Sequence, residues 1–241
     1  MTAENVRVDV VIPVYNEEHV LADSIGTLHA FLEANVPYDW QIVIADNASI
    51  DGTQAVGEAL AQRFERVRYL RIPKKGRGRA LRLAWTQSDA DIVSYMDVDL
   101  STNLDAFRPL IEAIADGRAD VAIGSRLHRG AAVTRQWKRE IISRGYNVLV
   151  KLMFPRRTFS DAQCGFKAAS RRAVKRLVPL VQNDHWFFDS ELLLRAEECG
   201  FRIAEVPVQW IEDLDTRVKI VNTALEDVRG LLRVRFTPVR G

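Results

Sequence analysis

The sequence predicts a single α/β domain built on a doubly wound sheet, and three observations lead there. Short β-branched runs alternate with segments of helical period through the first half of the chain. Several of those runs stop abruptly at Pro, Asp or Asn, as buried parallel strands do where they leave the sheet. The 241 residues are 47% hydrophobic, enough to bury a substantial core without disulfides.

Taken in order, Val8-Asp9-Val10-Val11-Ile12 closes on Pro13, and Gln41-Ile42-Val43-Ile44-Ala45 stops at Asp46; both read as buried parallel strands. Between them, residues 17–34 place Val20, Leu21, Ile25, Leu28 and Leu32 at helical spacing, with acidic residues in the first turn where they complement the dipole. This makes a right-handed βαβ unit. Residues 53–64 read as a second helix, 67–72 as a third strand, 80–85 as part of a third helix, and 92–96 as a fourth strand ending at Asp97. Ligands of such a sheet sit beyond the carboxyl ends of its strands, where Asn16, Asp46, Asp97 and Asp99 all fall.

After residues 120–124 the pattern loosens into a basic stretch over 126–157, then segments 161–167 and 186–194. Val206, Val208 and Trp210 alternate like a late strand, and 218–234 reads as a closing helix. The expected organisation is one domain over 1–215, with a regular half over 1–125 and a looser half over 126–215. A C-terminal amphipathic, basic helix and tail over 216–241 complete it.

Charge and cysteine usage narrow the function classes. Thirty-four Lys+Arg against 32 Asp+Glu give a net charge of +2, too even for nucleic acid to be the main partner. Cys164 and Cys199 lack metal-ligand spacing and secreted-scaffold density, which favours a reduced cytoplasmic setting without structural zinc. Residues 1–6 are polar and run straight into the first strand, leaving no room for a signal peptide. No stretch approaches the roughly 20 apolar residues that cross a bilayer, so a membrane role is expected to be peripheral.

Asp97-Val98-Asp99 sets two carboxylates one residue apart where the fourth strand ends. Hard oxygen ligands there suit Mg2+ or Mn2+ bridging the protein to a diphosphate while keeping waters. An acidic pair after a strand is equally a turn or a helix cap, a role open to Ser101 and Asp105 here. Two further strand ends add to the metal reading: Ile12-Pro13-Val14-Tyr15-Asn16-Glu17 and Ala45-Asp46-Asn47-Ala48-Ser49-Ile50-Asp51-Gly52-Thr53.

With these motifs the sequence resembles glycosyltransferase family 2, whose members have the nucleotide-binding GT-A fold, a Rossmann-like, doubly wound mixed sheet. The resemblance implies that Pro13, Tyr15, Glu17 and Asp46 hold the nucleobase and ribose, although Tyr15 fits packing equally well. It implies a nucleotide-sugar donor contacted at Asp97 and Val98, and a divalent metal at Asp97 and Asp99. Ser49, Asp51 and Thr53 suit helix capping better than substrate contact. Lys74-Lys75-Gly76-Arg77-Gly78-Arg79 lacks the spacing of a dinucleotide fingerprint or a P-loop. In the resembled family a similar basic-glycine segment lines the donor side, which makes Lys75 and Arg79 candidates for the diphosphate beside the alternative of a solvated turn.

The second half chooses the acceptor. Asp161-Ala162-Gln163-Cys164-Gly165-Phe166-Lys167 and Trp186-Phe187-Phe188-Asp189-Ser190-Glu191-Leu192 look like matching segments of dolichyl-phosphate and polyprenyl-phosphate sugar synthases, the glucosyl branch above all. A lipid phosphate acceptor demands cations beside an apolar surface. Residues 134–154 offer Arg135, Lys138, Arg139, Arg144 and Lys151 among Trp137, Ile141, Ile142, Tyr146 and Leu152. Composition alone favours an ordinary amphipathic core helix; the resemblance shifts the balance, because Gly124-Ser125-Arg126 matches a segment whose arginine contacts phosphate. Arg126 is thus expected to bind the acceptor phosphate, with Arg139 and Arg144 behind it. The tail adds Arg229, Arg233, Arg235 and Arg240 without an acidic residue after Asp227, a charge pattern suited to an anionic inner leaflet.

The implied reaction is an inverting, in-line transfer of a hexose or N-acetylhexosamine from a nucleotide diphosphate, a UDP-sugar by the branch resembled, to polyprenyl phosphate. It would take place at the cytoplasmic membrane face, with a small integral membrane protein as a potential helper. The acceptor phosphate is already anionic, so no strong base is required. Asp161 is carried by the resemblance as a catalytic group, with Gln163, Trp186 and Asp189 lining the sugar and acceptor pocket; Asp189 also fits a helix cap and Trp186 ordinary packing. Two rivals stand beside this reading. One is a sugar-nucleotide nucleotidyltransferase, whose basic glycine-rich first loop is absent here; the other is a non-catalytic membrane-docking module.

Overall fold

The computed structural model describes residues 6–134, 137–211 and 220–239, the side chains of 134–141 and 220–222 excepted. The expected boundary at 215/216 lies outside the described residues, as do Arg240 and the side chains of Arg135, Lys138 and Arg139.

The first half follows the βα alternation: β1 (Arg7–Val14), α1 (Leu21–Asn35), β2 (Asp39–Asn47), α2 (Thr53–Arg63), β3 (Val67–Ile72), α3 (Arg77–Gln87) and β4 (Ile92–Met96). After α4 (Phe107–Ala115) and β5 (Val121–Ser125) come β6 (Ala132–Thr134), α5 (Trp137–Met153), β7 (Phe166–Ser170), α6 (Arg171–Leu177), α7 (Phe188–Glu198), β8 (Ile203–Pro207), β9 (Gln209–Ile211) and α8 (Ile220–Phe236). The main sheet runs β3-β2-β1-β4-β7-β5-β8, with β7 antiparallel to both its neighbours and the other pairs parallel. The sheet is therefore mixed, as the resemblance implied. The two central strands reverse order at β1/β4, so a crevice opens at their carboxyl ends.

Alternation along the strands builds two cores. Val8, Val10 and Ile12 of β1 with Ile42 and Ile44 of β2 face α1, α2 and α4. Val11, Val43 and Ala45 point the other way, towards α3, α6 and α7. The period of two thus covers both faces of the sheet with helices.

Differences from the sequence reading are local. Residues 17–20 form a turn, and α1 starts only at Leu21, because Glu17 and its neighbours are tied to another loop. The alternating Val206, Val208 and Trp210 do not share one strand. The chain changes sheets after Pro207, which pairs with Ser125 in β8, whereas Trp210 pairs with Val133 in the small sheet of β6 and β9. A proline supplies no backbone N–H for a continuing ladder. Among the described residues no helix is long and apolar enough to cross a membrane.

Candidate active site

Among the described residues three non-glycine positions have left-handed backbones: Asn16 (φ 55°), Ala48 (φ 60°) and Leu100 (φ 50°). They follow β1, β2 and β4, the strands that flank the crevice. Each such residue costs roughly 1 kcal/mol, a cost that surrounding contacts must offset. For Leu100 the contact is its own N–H donating to the Asp97 carbonyl at 3.2 Å; for the other two loops the contacts are side-chain latches between the segments after β1 and β2. Ser49 Oγ accepts from Asn16 N (2.9 Å), Thr53 Oγ1 from Glu17 N (2.8 Å) and Asp51 from Glu18 N (3.4 Å). In return Asn16 Oδ1 accepts from Ile50 N (2.9 Å) and Glu18 Oε2 from Gly52 N (2.6 Å). The capping role expected of Ser49, Asp51 and Thr53 is shared with this latch: Asp51 Oδ1 still accepts locally from Thr53 N (3.0 Å) and from the Thr53 hydroxyl (2.6 Å), while the N-cap Gly52 has no side chain to contribute.

Asp46 ends β2 fully buried. One oxygen accepts from Tyr69 and Arg71, each at 2.5 Å, and the other from Ser49 N at 2.8 Å. Burial raises its pKa, but these donors outweigh it and keep the carboxylate below its ordinary range. Asp46 thus anchors Arg71, whose other nitrogen reaches the Ser49 carbonyl at 2.8 Å. Pro13 lies beside Ala45 in register, Glu17 sits in the latch, and the Lys75 ammonium stands 3.5 Å above the Tyr15 ring, a cation–π pair at the crevice edge. Asn47 Oδ1 accepts from Gly76 N (2.5 Å), which seats the basic turn on β2.

Asp97 leaves β4 partly exposed, and Asp99 is exposed two residues on; Val98 between them is buried in the core. Asp97 is held on two sides. Arg77 Nη2 donates to its Oδ1 at 2.8 Å, and a Cβ on Gly165 would lie 1.8 Å from its Oδ2, so only glycine leaves room for this carboxylate. Asp99 Oδ1 accepts from Ser101 N at 3.0 Å. Arg77 is itself buried and donates by its other nitrogen to Asp189 (2.8 Å), lying 5.1 Å from the half-exposed Trp186 ring. Asp189 also accepts from the Tyr95 hydroxyl and lies 3.5 Å from the fully buried Lys167 ammonium. Burial pushes the Asp189 pKa up, but Lys167 and Arg77 outweigh it and keep the group ionised.

Sequence reasoning placed Asp97, Asp99, Trp186 and Asp189 here but missed Arg77, Gly165, Lys167 and Tyr95. Gly165 and Lys167 lay in the 161–167 segment and Tyr95 in the fourth strand, with nothing local to single them out; for Arg77 the signal was the basic-glycine turn, where that reasoning chose the residues on either side. Of those, Arg79 is engaged elsewhere: it bonds Asp184 and the Lys75 carbonyl, each at 2.5 Å.

Just beyond β5, Arg126 and Asp161 form a two-pronged buried pair, Nε to Oδ2 at 2.8 Å and Nη2 to Oδ1 at 2.9 Å, with Arg126 N adding a third bond at 3.1 Å. Burial raises the Asp161 pKa, but the Arg126 charge overrides it and holds the carboxyl at about 2. Gln163 bridges this pair to the last helix: its N–H donates to Asp161 (3.1 Å) and its amide to Asp227 of α8 (3.1 Å). Burial and the neighbouring Glu226 push Asp227 up to about 7. Arg144 is exposed on α5. Cys164 is a buried free thiol, raised by burial to about 12 and therefore inert packing.

Comparison with known proteins fits this architecture. The model of "Glycosyl transferase family 2" matches residues 9–178. Glycosyltransferase AglD of Haloferax volcanii is 38% identical over 96% of the chain, and the dolichyl-phosphate beta-glucosyltransferase of Drosophila melanogaster is 32% identical over 86%. The chain spans 37% of the length of the archaeal relative and 68% of the insect one. Among solved structures, glucosyl-3-phosphoglycerate synthase of Mycobacterium tuberculosis, in complex with Mn2+, UDP-glucose and phosphoglyceric acid, superposes with a TM-score of 0.73 at 18% identity, covering 98% of this chain and 82% of that one. The likeness is one of fold, the GT-A arrangement of helices about a mixed sheet. The latched strand ends, the carboxylates after β4 and the family match over most of the chain lead to one statement: this chain belongs to glycosyltransferase family 2, in the company of dolichyl-phosphate sugar synthases.

Proposed function

We propose that the chain is the catalytic domain of an inverting, metal-dependent glycosyltransferase. It moves a hexose or N-acetylhexosamine from a UDP-sugar to polyprenyl phosphate at the cytoplasmic face of a membrane. The observation that carries this reading is the pair Asp97 and Asp99 at the end of β4, opening on the same crevice as the latched loops of β1 and β2. The named activity of the insect relative supports the acceptor class, and the UDP-glucose complex of the mycobacterial structure supports the donor.

The donor set fits a hard divalent cation. Among the described residues no cluster of three or more His, Cys, Asp or Glu could hold a metal. Two carboxylates suit Mg2+ or Mn2+, which keep waters and take diphosphate oxygens as further ligands. The bound ion would neutralise charge developing on the leaving nucleotide diphosphate. Arg77 and Gly165 orient Asp97, Lys75 and Tyr15 border the nucleotide side, and Trp186 offers a face to the sugar. Arg126 attracts the acceptor phosphate while Asp161, ionised and engaged, orients it. An anionic phosphate oxygen attacks without a base, so Asp161 needs no proton-accepting role.

The test is incubation of the protein with membranes and radiolabelled UDP- and GDP-sugars, with and without chelator, followed by organic extraction. A labelled, acid-labile lipid formed from a UDP-sugar only when metal is present is the expected result. Labelled lipid formed in the presence of chelator, or none from any donor, overturns the proposal.

A further inference from the structure

Exposed large apolar side chains are not scattered over this molecule. Of the eleven among the described residues, seven stand on two helices: Ile142, Val148 and Leu152 on α5, and Leu225, Val228, Leu232 and Phe236 on α8. On α8 their spacing of three, four and four residues draws one continuous stripe. The opposite side of the same helix is also apolar: Leu231 and Val234 are fully buried in the core behind α3 and α7, and Gly230 lets the Phe187 ring approach so closely that a Cβ would sit 2.3 Å from it. A helix that is apolar on both sides has protein on one and needs an apolar medium on the other. α5 packs beside α8, so the two sets of exposed residues belong to neighbouring elements.

The charges beside the stripe identify that medium. Arg229 and Arg235 on α8 and Lys151 on α5 are exposed, and no carboxylate among the described residues pairs with them. By contrast Arg233, turned inward, bonds Glu191 at 2.6 Å. Unpaired cations bordering exposed Leu, Val and Phe complement an anionic lipid surface, with side chains entering the acyl boundary and guanidinium groups meeting the headgroups.

The inner side of α8 touches the acceptor loops. Asp227 accepts from Gln163, and Glu226 accepts from Asn183 at 2.6 Å, three residues before Trp186. We infer that α8 docks the domain on an anionic bilayer through Leu225, Val228, Leu232 and Phe236, and so carries the loops holding Gln163 and Asn183 to the membrane surface. The inference deepens the polyprenyl-phosphate reading and rests on it for its purpose, while the docking itself is measurable without turnover.

The experiment is co-sedimentation of the chain with vesicles of phosphatidylcholine alone or with one third phosphatidylglycerol, for the wild type, Leu232→Glu/Phe236→Glu and Arg229→Glu/Arg235→Glu. Circular dichroism melts verify folding, and Val20→Glu, an exposed apolar site remote from α8, serves as a control. Expected results are binding to the anionic vesicles by wild type and control, at least tenfold weaker binding by the apolar double variant, and loss of the phosphatidylglycerol preference in the charge variant. Transfer to a short-chain polyprenyl phosphate in detergent should survive in both variants. Equal vesicle binding by wild type and the folded apolar variant overturns the docking role, as does a wild-type dimer that Leu232→Glu/Phe236→Glu renders monomeric. Vesicle binding without transfer to any polyprenyl phosphate would keep the docking and sink the acceptor reading.

Discussion

The loop latch after β1 and β2 and the ion network around β4, β5 and β7 are held together by different physics. Between the loops after β1 and β2, Ser49, Thr53 and Asn16 side chains accept short hydrogen bonds from backbone N–H groups, joined by the part-exposed carboxylates of Glu18 and Asp51, with Asp46 buried beneath them against Arg71. Each neutral bond is worth about 1 kcal/mol, and no one of them is indispensable. Around β4, β5 and β7 the structure relies on buried ions: Arg77 between Asp97 and Asp189, Lys167 against Asp189, and Arg126 against Asp161. Buried pairs add little over an apolar core when intact but cost several kcal/mol when one partner is removed. The neutral latch bonds are therefore tolerant of single losses, and the ion network around β4, β5 and β7 is not.

Substitutions can break or sharpen this contrast. The largest effect is expected for Asp99→Ala, an exposed carboxylate whose loss should lower sugar transfer by roughly 10³-fold with the melting temperature unchanged; turnover near wild type would remove Asp99 from the metal role. Gly165→Ala comes next. Its Cβ would displace the Asp97 carboxylate, and a misplacement on the order of 1 Å should cost about 10²-fold in kcat, read by steady-state kinetics at saturating UDP-sugar.

Asp161 and Asp227, joined through Gln163, test the electrostatics in opposite directions. Asp161→Asn leaves the Arg126 charge buried without its partner and should destabilise the fold by about 3 kcal/mol in urea unfolding at pH 7. With its folded pKa depressed to about 2, wild-type Asp161 contributes stability that is complete above about pH 4. That contribution disappears as the pH falls through 2, and the variant should lack this acid limb. Asp227 carries the opposite sign: raised to about 7, it contributes stability below about pH 4 that fades as the pH rises through 7. Asp227→Asn should therefore exceed wild type at pH 8, by on the order of 2 kcal/mol, and match it near pH 4. The smallest effect is expected in the loop latch, where Ser49→Ala removes one bond, costs about 1 kcal/mol and changes KM for the donor less than tenfold.

The same contrast explains what could be read from sequence. Strand ends and the Asp-Val-Asp motif were legible because the short apolar, β-branched runs of β1, β2 and β4 stop abruptly at Pro or Asp, and ligands of doubly wound sheets gather there. Arg77 was not legible: its partners Asp97 and Asp189 lie 20 and 112 residues away, and nothing in a run of alternating glycines and cations says which cation turns inward. Asp46 shows the converse. Its position at a sheet end was correct, but its filling by Tyr69 and Arg71 depends on the pairing of β2 with β3, which no local motif encodes. Lys167 and Gly165 sit in a segment recognised only by resemblance, and their roles follow from β7 running antiparallel beside β4. The split of the late strand after Pro207 escaped a reading based on alternation alone, because alternation continues across a change of sheet.

The turn ahead of α3 bears on how such domains can be recombined. Arg79 N donates to the Asp184 carbonyl at 3.0 Å, a Cβ on Gly76 would lie 2.6 Å from that same oxygen, and one on Gly78 would lie 2.7 Å from Phe188 Cβ. The basic-glycine turn and the loop leading to Trp186 are thus fitted backbone to backbone, more than a hundred residues apart in the chain. The two halves are not interchangeable modules. A chimera that takes its first half from another family member must bring the matching 183–188 segment with it, or the graft will part along this seam.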